Sequence, residues 1–181
     1  MLVKAKLSTK DRKMKPYIAL IAASFALSGC VNTLSSEQQA QIDNMSPCDK
    51  IQGLLTSFNN EFAPLKKSRV KNKYMEVWQA SYNLVGENCQ ISKSNNNAIN
   101  YMCQQNFSEK DQAIAIYSQA TNFTKSCLKN DKWKVKTDNN KNSVRTTYYL
   151  NEQSPSISIH SGKTLAKLND VWMVSFEVGK R

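Results

Sequence analysis

Histidine is almost missing from this chain: His160 is the only one in 181 residues. A single imidazole cannot build a histidine metal cage, and a catalytic dyad would have to rest on that one residue. The cysteines form no close Cys-x-x-Cys pairs, which removes the commonest zinc-site spacing. Glycine is scarce, at 5 residues, so there is little material for a loop that cradles phosphate or clamps a substrate. Long apolar runs are missing too. The run Tyr17–Leu27 has eleven residues, short of the about 20 that a membrane-spanning helix needs.

That short run has informative neighbours. Lys4, Lys6, Lys10, Arg12, Lys13 and Lys15 precede it, and Leu27-Ser28-Gly29-Cys30 closes it with small residues before a cysteine. Positive charge, a short apolar stretch and a small-residue cleavage point are the three parts of an export signal. The tetrapeptide resembles the bacterial lipobox. The resemblance implies that residues 1–29 are a removed signal peptide, that Cys30 receives lipid (palmitate among its acyl chains), and that residues 30–45 tether a domain spanning 46–181. Val31 stands where an aspartate would retain a Gram-negative lipoprotein in the inner membrane. The same resemblance therefore implies an outer-membrane anchor facing the periplasm. Either Met1 or Met14 can serve as the start, because the segment from Met14 to Cys30 is already a compact signal.

Removal of residues 1–29 changes the electrostatics. The whole chain carries 25 Lys and Arg against 14 Asp and Glu; the removed segment takes six of the former and one of the latter, leaving +6. A domain of that charge is steered toward anionic headgroups, an anionic envelope polymer or an acidic protein, less so as salt rises. Its basic residues are dispersed rather than striped, and an exported domain does not meet nucleic acid, so no nucleic-acid partner is expected.

Four cysteines remain after Cys30: Cys48, Cys89, Cys103 and Cys127. An even number in an exported chain points to two disulfides, with three possible connectivities. Strand periodicity runs from Val77 to Leu84, with Trp78, Ala80, Tyr82 and Leu84 on one face, and Gly86-Glu87-Asn88 turns the chain. Cys89–Ser92 and Ile99–Phe107 are further strands around the polar tip Ser94-Asn95-Asn96-Asn97. A hairpin centred on Asn96 sets Cys89 opposite Cys103, seven residues away on either side. That disulfide would close a 15-residue loop, worth about 3 kcal/mol in the chain-entropy model.

Cys48 and Cys127 are left to pair, each on a helix. Ser46-Pro47-Cys48-Asp49 carries the signals of a helix start, and Cys48, Ile51, Leu55, Phe58 and Phe62 share a face. A second helix is expected from Ser108, with Asp111 in the capping position, to about Leu128, burying Ala113, Tyr117, Ala120, Thr124 and Cys127. Strands return at Trp133–Lys136, Val144–Leu150, Ser156–His160 and Val171–Val178, with a turn over Asp138–Asn142. The expected fold is α+β: an antiparallel sheet with two helices on one face, in the order α-βββ-α-ββββ, and two disulfides. Leu34–Met45 is polar and glutamine-rich, a tether or a weak helix.

Motifs for chemistry are sparse. Ser126-Cys127-Leu128-Lys129 fits Ser-x-x-Lys, but no Ser-Asp-Asn or Lys-Thr-Gly accompanies it. Gly162-Lys163-Thr164 resembles the end of a phosphate-binding loop, yet Ile157 stands where the earlier glycine is required. No catalytic residue, metal site or cofactor is assigned. Adjacent Tyr148 and Tyr149 on a strand must face opposite ways, so one ring is outside. With Arg145 they form the candidate partner-binding spot, since Tyr and Arg are enriched in interface hot spots.

Cys48-Asp49-Lys50-Ile51, Trp78-Gln79-Ala80, Tyr101-Met102-Cys103 and Cys127-Leu128 resemble motifs of a loose group of small exported proteobacterial proteins. The resemblance covers about residues 46–135, implies architecture and supplies no activity. The expected function is that of a lipid-anchored, non-enzymatic binding or structural module of the envelope, held at the membrane through Cys30. An immunity protein that neutralises a periplasmic toxin is the first alternative, and a small envelope hydrolase using His160 or Ser126 the second.

Overall fold

The computed structural model describes residues 35–128, 132–164 and 171–180. Cys30, the signal segment and Lys129 lie outside the described residues.

Three helices and eight strands follow the order α1 (Ser36–Asp43), α2 (Pro47–Ser57), β1 (Lys66–Val70), β2 (Glu76–Ala80), β3 (Asn88–Lys93), β4 (Ile99–Phe107), α3 (Lys110–Cys127), β5 (Lys134–Asn140), β6 (Ser143–Tyr149), β7 (Ser156–Lys163) and β8 (Trp172–Gly179). The eight strands make one antiparallel sheet in the order β1-β2-β3-β4-β8-β7-β6-β5. The α+β class and both disulfides expected from the sequence are present. Two four-stranded meanders, each preceded by a helix, are joined side by side along β4 and β8. This repetition leaves no period in the sequence, because only the pattern of elements recurs.

The central β4–β8 pair dictates what α3 must do. After β4 the chain has to reach the far edge, four strand spacings or about 19 Å away. The 18 residues of α3 span about 27 Å. On the way α3 packs over β4, β8 and β7, burying Ala113, Ala120 and Thr124 against Val174, Phe176, Ile157 and Ile159, all fully buried. Phe123 stacks on Phe176 at 6.2 Å. Two tyrosines fix the far end to β6: the Tyr148 hydroxyl donates to the Thr121 carbonyl at 3.1 Å, and the Tyr117 and Thr146 hydroxyls share a 2.6 Å hydrogen bond.

At the other end of the chain, Ser46 caps α2 as expected: its Oγ accepts from the Asp49 amide at 3.2 Å and Pro47 occupies the first turn. The helix stops at Ser57 and gives way to a 3-10 turn. Glu61 and Phe62 then both adopt left-handed backbone, at φ 57° and 56°. Such geometry is costly for side chains larger than glycine; complete burial of Phe62 against Tyr101 holds it. Phe62 thus reaches the core, but from a turn rather than from the helical stripe expected of it. Lys50, nearly buried, sends its ammonium to the Asp43 and Asn83 carbonyls at 3.5 and 3.4 Å, tying α1 and the segment after β2 to α2.

Four details differ from the sequence expectation. The first run has four strands rather than three, because Lys66–Val70 is β1; a run of Lys, Lys, Ser and Arg shows no apolar alternation since it lies at an edge and buries neither face fully. The strand expected over Val77–Leu84 ends at Ala80, where the Ser81 amide turns to the Leu65 carbonyl at 2.9 Å and the chain leaves the sheet. The α3 helix begins at Lys110, not Ser108, and its N-cap, Glu109, makes no side-chain capping bond. The turn expected over Asp138–Asn142 narrows to Lys141–Asn142, because β5 runs on to Asn140 in unbroken pairing with β6; the glutamine-rich stretch takes the helical of its two expected forms as α1, with a capping box of Ser35 and Gln38.

The hairpin of β3 and β4 has the register expected from its asparagine tip: Cys89 pairs with Cys103, and the two are bonded with Cα atoms 4.0 Å apart. Cys48 at the start of α2 is bonded to Cys127 at the end of α3, across 79 residues. In the chain-entropy model that bond is worth nominally about 4.5 kcal/mol. Replacing Cys48 and Cys127 together by alanine should lower unfolding stability by about 2–4 kcal/mol in urea titrations and raise the m-value, since the unlinked denatured chain exposes more surface. An unchanged midpoint would show that this link contributes nothing to the fold.

Candidate functional site

With the helices on one side, the alternation of each strand sends a second set of side chains to the uncovered side. Register places Asn100, Met102 and Gln104 of β4 beside Gly179, Glu177 and Ser175 of β8. These adjoin Ser156, Ser158 and His160 of β7, then Thr147 and Arg145 of β6, and finally Lys136 and Asp138 of β5. Apart from Met102, Met173 and, toward β1, Val77 and Val70, the strand positions on this face carry hydroxyl, amide and charged groups or are glycine. Its centre forms a groove of about 420 Å³.

Charge is organised within that groove. Lys136 and Asp138, two residues apart on β5, form an ion pair at 2.9 Å, and Arg145 approaches Glu177 at 3.6 Å. Glu177 also accepts from the Ser175 hydroxyl at 3.0 Å. Lys180 lines the same groove. Three cations thus face two carboxylates, and the side chains of Arg145 and Glu177 stay partly exposed. The floor is pre-organised by a 2.9 Å hydrogen bond between the Thr147 and Ser158 hydroxyls.

Two of the few glycines shape this surface. A Cβ on Gly162 would meet the Cε1 and Nε2 atoms of His160 at 2.8 Å, so the imidazole lies where a side chain would otherwise stand. On Gly179 it would collide with the amide of Asn100. Glycine therefore works here not as a loop but as two flat places on which neighbouring polar side chains rest.

His160 is half-buried at the centre of the face. Burial first, and then the Arg145 guanidinium, hold its imidazole below the ordinary pKa, with Glu177 pulling the other way. The neutral ring is the form the fold prefers, and it offers one donor and one acceptor to a ligand.

The residues singled out from the sequence fall in different places. Arg145 and Tyr149 belong to the uncovered face, as one of the two tyrosines had to. Tyr148 does not join them: it is 2% exposed beneath α3, and burial pushes its phenol up to about 12. It is a core residue, and the three-residue spot contracts to Arg145 and Tyr149. Ser126, exposed near the end of α3, donates its hydroxyl to the Phe123 carbonyl at 2.8 Å. Helix and His160 lie on different sides of the sheet, so Ser126 and His160 do not converge. Gly162 and Lys163 are extended strand, paired with Met173 and Trp172, which is incompatible with a phosphate loop. Among the described residues no cluster of three or more His, Cys, Asp and Glu could hold a metal ion.

Sequence reasoning missed Glu177, Lys136, Asp138 and the glycines. Glu177 and Ser175 carried a signal, as the polar positions alternating with Trp172, Val174 and Phe176. What no local pattern contained was that β5, β6, β7, β8 and β4 lie side by side.

A second hollow, of about 560 Å³, lies beside the Cys48–Cys127 bond, where Leu55, Leu128, Trp133, Leu150 and Pro155 make it mainly apolar. Among the described residues no charged side chain lines it.

Because His160 is the sole histidine, its titration can be followed as a single set of ring resonances by NMR. The midpoint should lie below the ordinary imidazole value of about 6.5, rise in Arg145→Gln and fall further in Glu177→Gln. The sign for stability follows from linkage: the neutral-ring contribution is complete above about pH 6.5 and is lost as pH falls through the lowered folded value. Movement of the midpoint in the opposite directions would show that the ring does not sense these two charges.

No family model, curated protein or solved structure matches the chain.

Proposed function

We propose that this chain is a lipid-anchored envelope lipoprotein, held through Cys30 at the periplasmic face of an outer membrane, and that it works as a non-enzymatic binding module. The uncovered sheet face is the binding surface. One observation carries the proposal: α3, with α2 beside it, packs on one face of the eight-stranded sheet, and on the other face the described residues form a polar, charged groove instead of an apolar seat for a further layer. Lys136, Arg145 and Lys180 suit an acidic protein segment or an anionic envelope polymer, and hydroxyl and amide groups around them supply hydrogen bonds.

The lipobox-like tetrapeptide and the two disulfides support the anchor and the oxidising compartment. An immunity protein would use the same face, its acidic partner being a toxin, and is the second function that the charge of the groove favours. The separation of Ser126 and His160 speaks only against a hydrolase that would pair the two in one site.

Two measurements test the two halves of the proposal. Intact mass spectrometry of membrane-extracted protein should find a chain beginning at Cys30 with an acyl mass increment, and Cys30→Ala should release the protein from the membrane fraction. A chain that starts earlier and carries no increment would remove the anchor. Separately, the protein should be retained on immobilised polyglutamate at low salt and elute earlier as salt rises. Combined Lys136→Glu, Arg145→Glu and Lys180→Glu should abolish retention, whereas combined Lys71→Glu, Lys73→Glu and Lys125→Glu, equal in charge change and outside the groove, should barely change it. Equal losses would mean that net charge, not this face, does the binding.

A further inference from the structure

The sheet has two edges, and they are not equivalent. On one side β1 is five residues long, its register with β2 shifts between Lys66 and Arg69, and its neighbour α1 reaches across through the 2.8 Å bond from Lys67 to Gln39. Short length, irregular register and cations are how natural sheets blunt an edge. On the other side β5 has none of the irregularity. Its seven residues pair with β6 without a break, from Lys134–Tyr149 to Asn140–Ser143, and all seven are exposed. Val135 is 56% exposed, one of the few large apolar side chains so placed among the described residues.

The backbone of β5 shows which groups await a partner. The two-residue connection Lys141–Asn142 closes on the Asn140–Ser143 pair, which therefore exchanges backbone hydrogen bonds. Alternation aims the amides and carbonyls of Lys134, Lys136, Asp138 and Asn140 at β6. Those of Val135, Thr137 and Asn139 point out of the edge, three donors and three acceptors with no strand of the described residues beside them.

We propose that the occupant of this edge is a second copy of the same chain, pairing β5 with its counterpart antiparallel about a two-fold axis at Thr137. The charges select that register. An antiparallel pair must set outward-pointing residues against outward-pointing residues, which restricts the centre to a residue of β5 rather than a point between two. Centred on Lys136, the pairing puts that lysine against its own copy; centred on Asp138, it puts two aspartates together. Like charges directly opposite are destabilising. Centred on Thr137, it sets Lys136 against Asp138 twice, and it uses every outward group: Thr137 pairs with its copy, and Val135 with Asn139 in both directions. The two Lys136–Asp138 pairs that close within each chain at 2.9 Å thereby acquire partners across the junction.

The two-fold axis runs perpendicular to the sheet, so both helix layers stay on one side and both polar faces on the other. Since Lys136 and Asp138 line the groove, the two grooves meet along the junction and become one trough. A single seven-residue edge is a small interface, below the usual size of a stable complex, so association is reversible and concentration-dependent. This inference does not depend on the identity of the ligand or on the lipid.

Sedimentation velocity of the purified full-length chain over a concentration series provides the test, with three variants. The wild type should shift from monomer to dimer as concentration rises, and the shift should weaken with salt. Lys136→Asp should raise the dimer dissociation constant by about tenfold or more, because it sets two pairs of carboxylates face to face. The double variant Lys136→Asp with Asp138→Lys should restore association. Thr137→Pro, tolerable at an edge, removes the central outward donor and should leave a monomer with unchanged circular dichroism. A wild type that remains monomeric throughout, a double variant that fails to recover, or a Thr137→Pro protein that still dimerises would each overturn the proposal.

Discussion

β4 and β8 lie side by side through eight paired residues, from Asn100–Gly179 to Phe107–Trp172, and that pairing constrains everything else in the molecule. It joins two meanders at their last strands, so the first strand of each is pushed to an outer edge. The chain leaving β4 must then cross half of the sheet before it can begin again. A helix is the economical way to do so, since it satisfies its own backbone and offers an apolar stripe to the strands it passes over. One face of the sheet is thereby closed by α3, and α2 is held beside the end of α3 by the Cys48–Cys127 bond.

The opposite face inherits the complementary role. Among the described residues no helix packs across its centre, and the two buried hydroxyls on it are satisfied, Ser156 by the Gly179 carbonyl and Ser175 by Glu177. Its side chains are arranged rather than merely tolerated: hydroxyls bond one another, Arg145 stands near Glu177, and Lys136 pairs with Asp138. Exposed pairs of this sort add little stability, typically about 0–1 kcal/mol. Their effect is local: each cation has a carboxylate neighbour while both side chains keep partial exposure. Placement of the groove over the strands nearest β5 also brings the sheet's open edge into the same surface.

Much of the architecture was legible in local patterns. The asparagine tip at Asn96 gave a centre about which Cys89 and Cys103 are symmetric, and strand pairing in a hairpin is a local matter of loop length. Ser46 and Pro47 announced α2 through chemistry confined to one helical turn. The stripe of Ala113, Ala120 and Thr124 gave α3 its buried face. Where local pattern failed, a tertiary contact had prevailed. Ser81 bends away to bond Leu65 although Tyr82 and Leu84 continue a strand-like alternation, and β1 exists because β2 offers it an edge, not because Lys66–Val70 has any strand signature.

The candidate site divides in the same way. Sequence alone determined that one of Tyr148 and Tyr149 faces outward, because adjacent strand residues point to opposite sides; which one depended on where α3 lies, and it lies over Tyr148. It likewise determined that Met173, Ser175 and Glu177 share a side of their strand. That Arg145, 32 positions earlier in the chain, stands 3.6 Å from Glu177 was decided only when β7 came between their strands. Period and capping are written into a few neighbouring residues, whereas the order of strands in a sheet is set by which distant apolar faces can share one core. A groove made from six strands is therefore a property of the assembled sheet and of no segment within it.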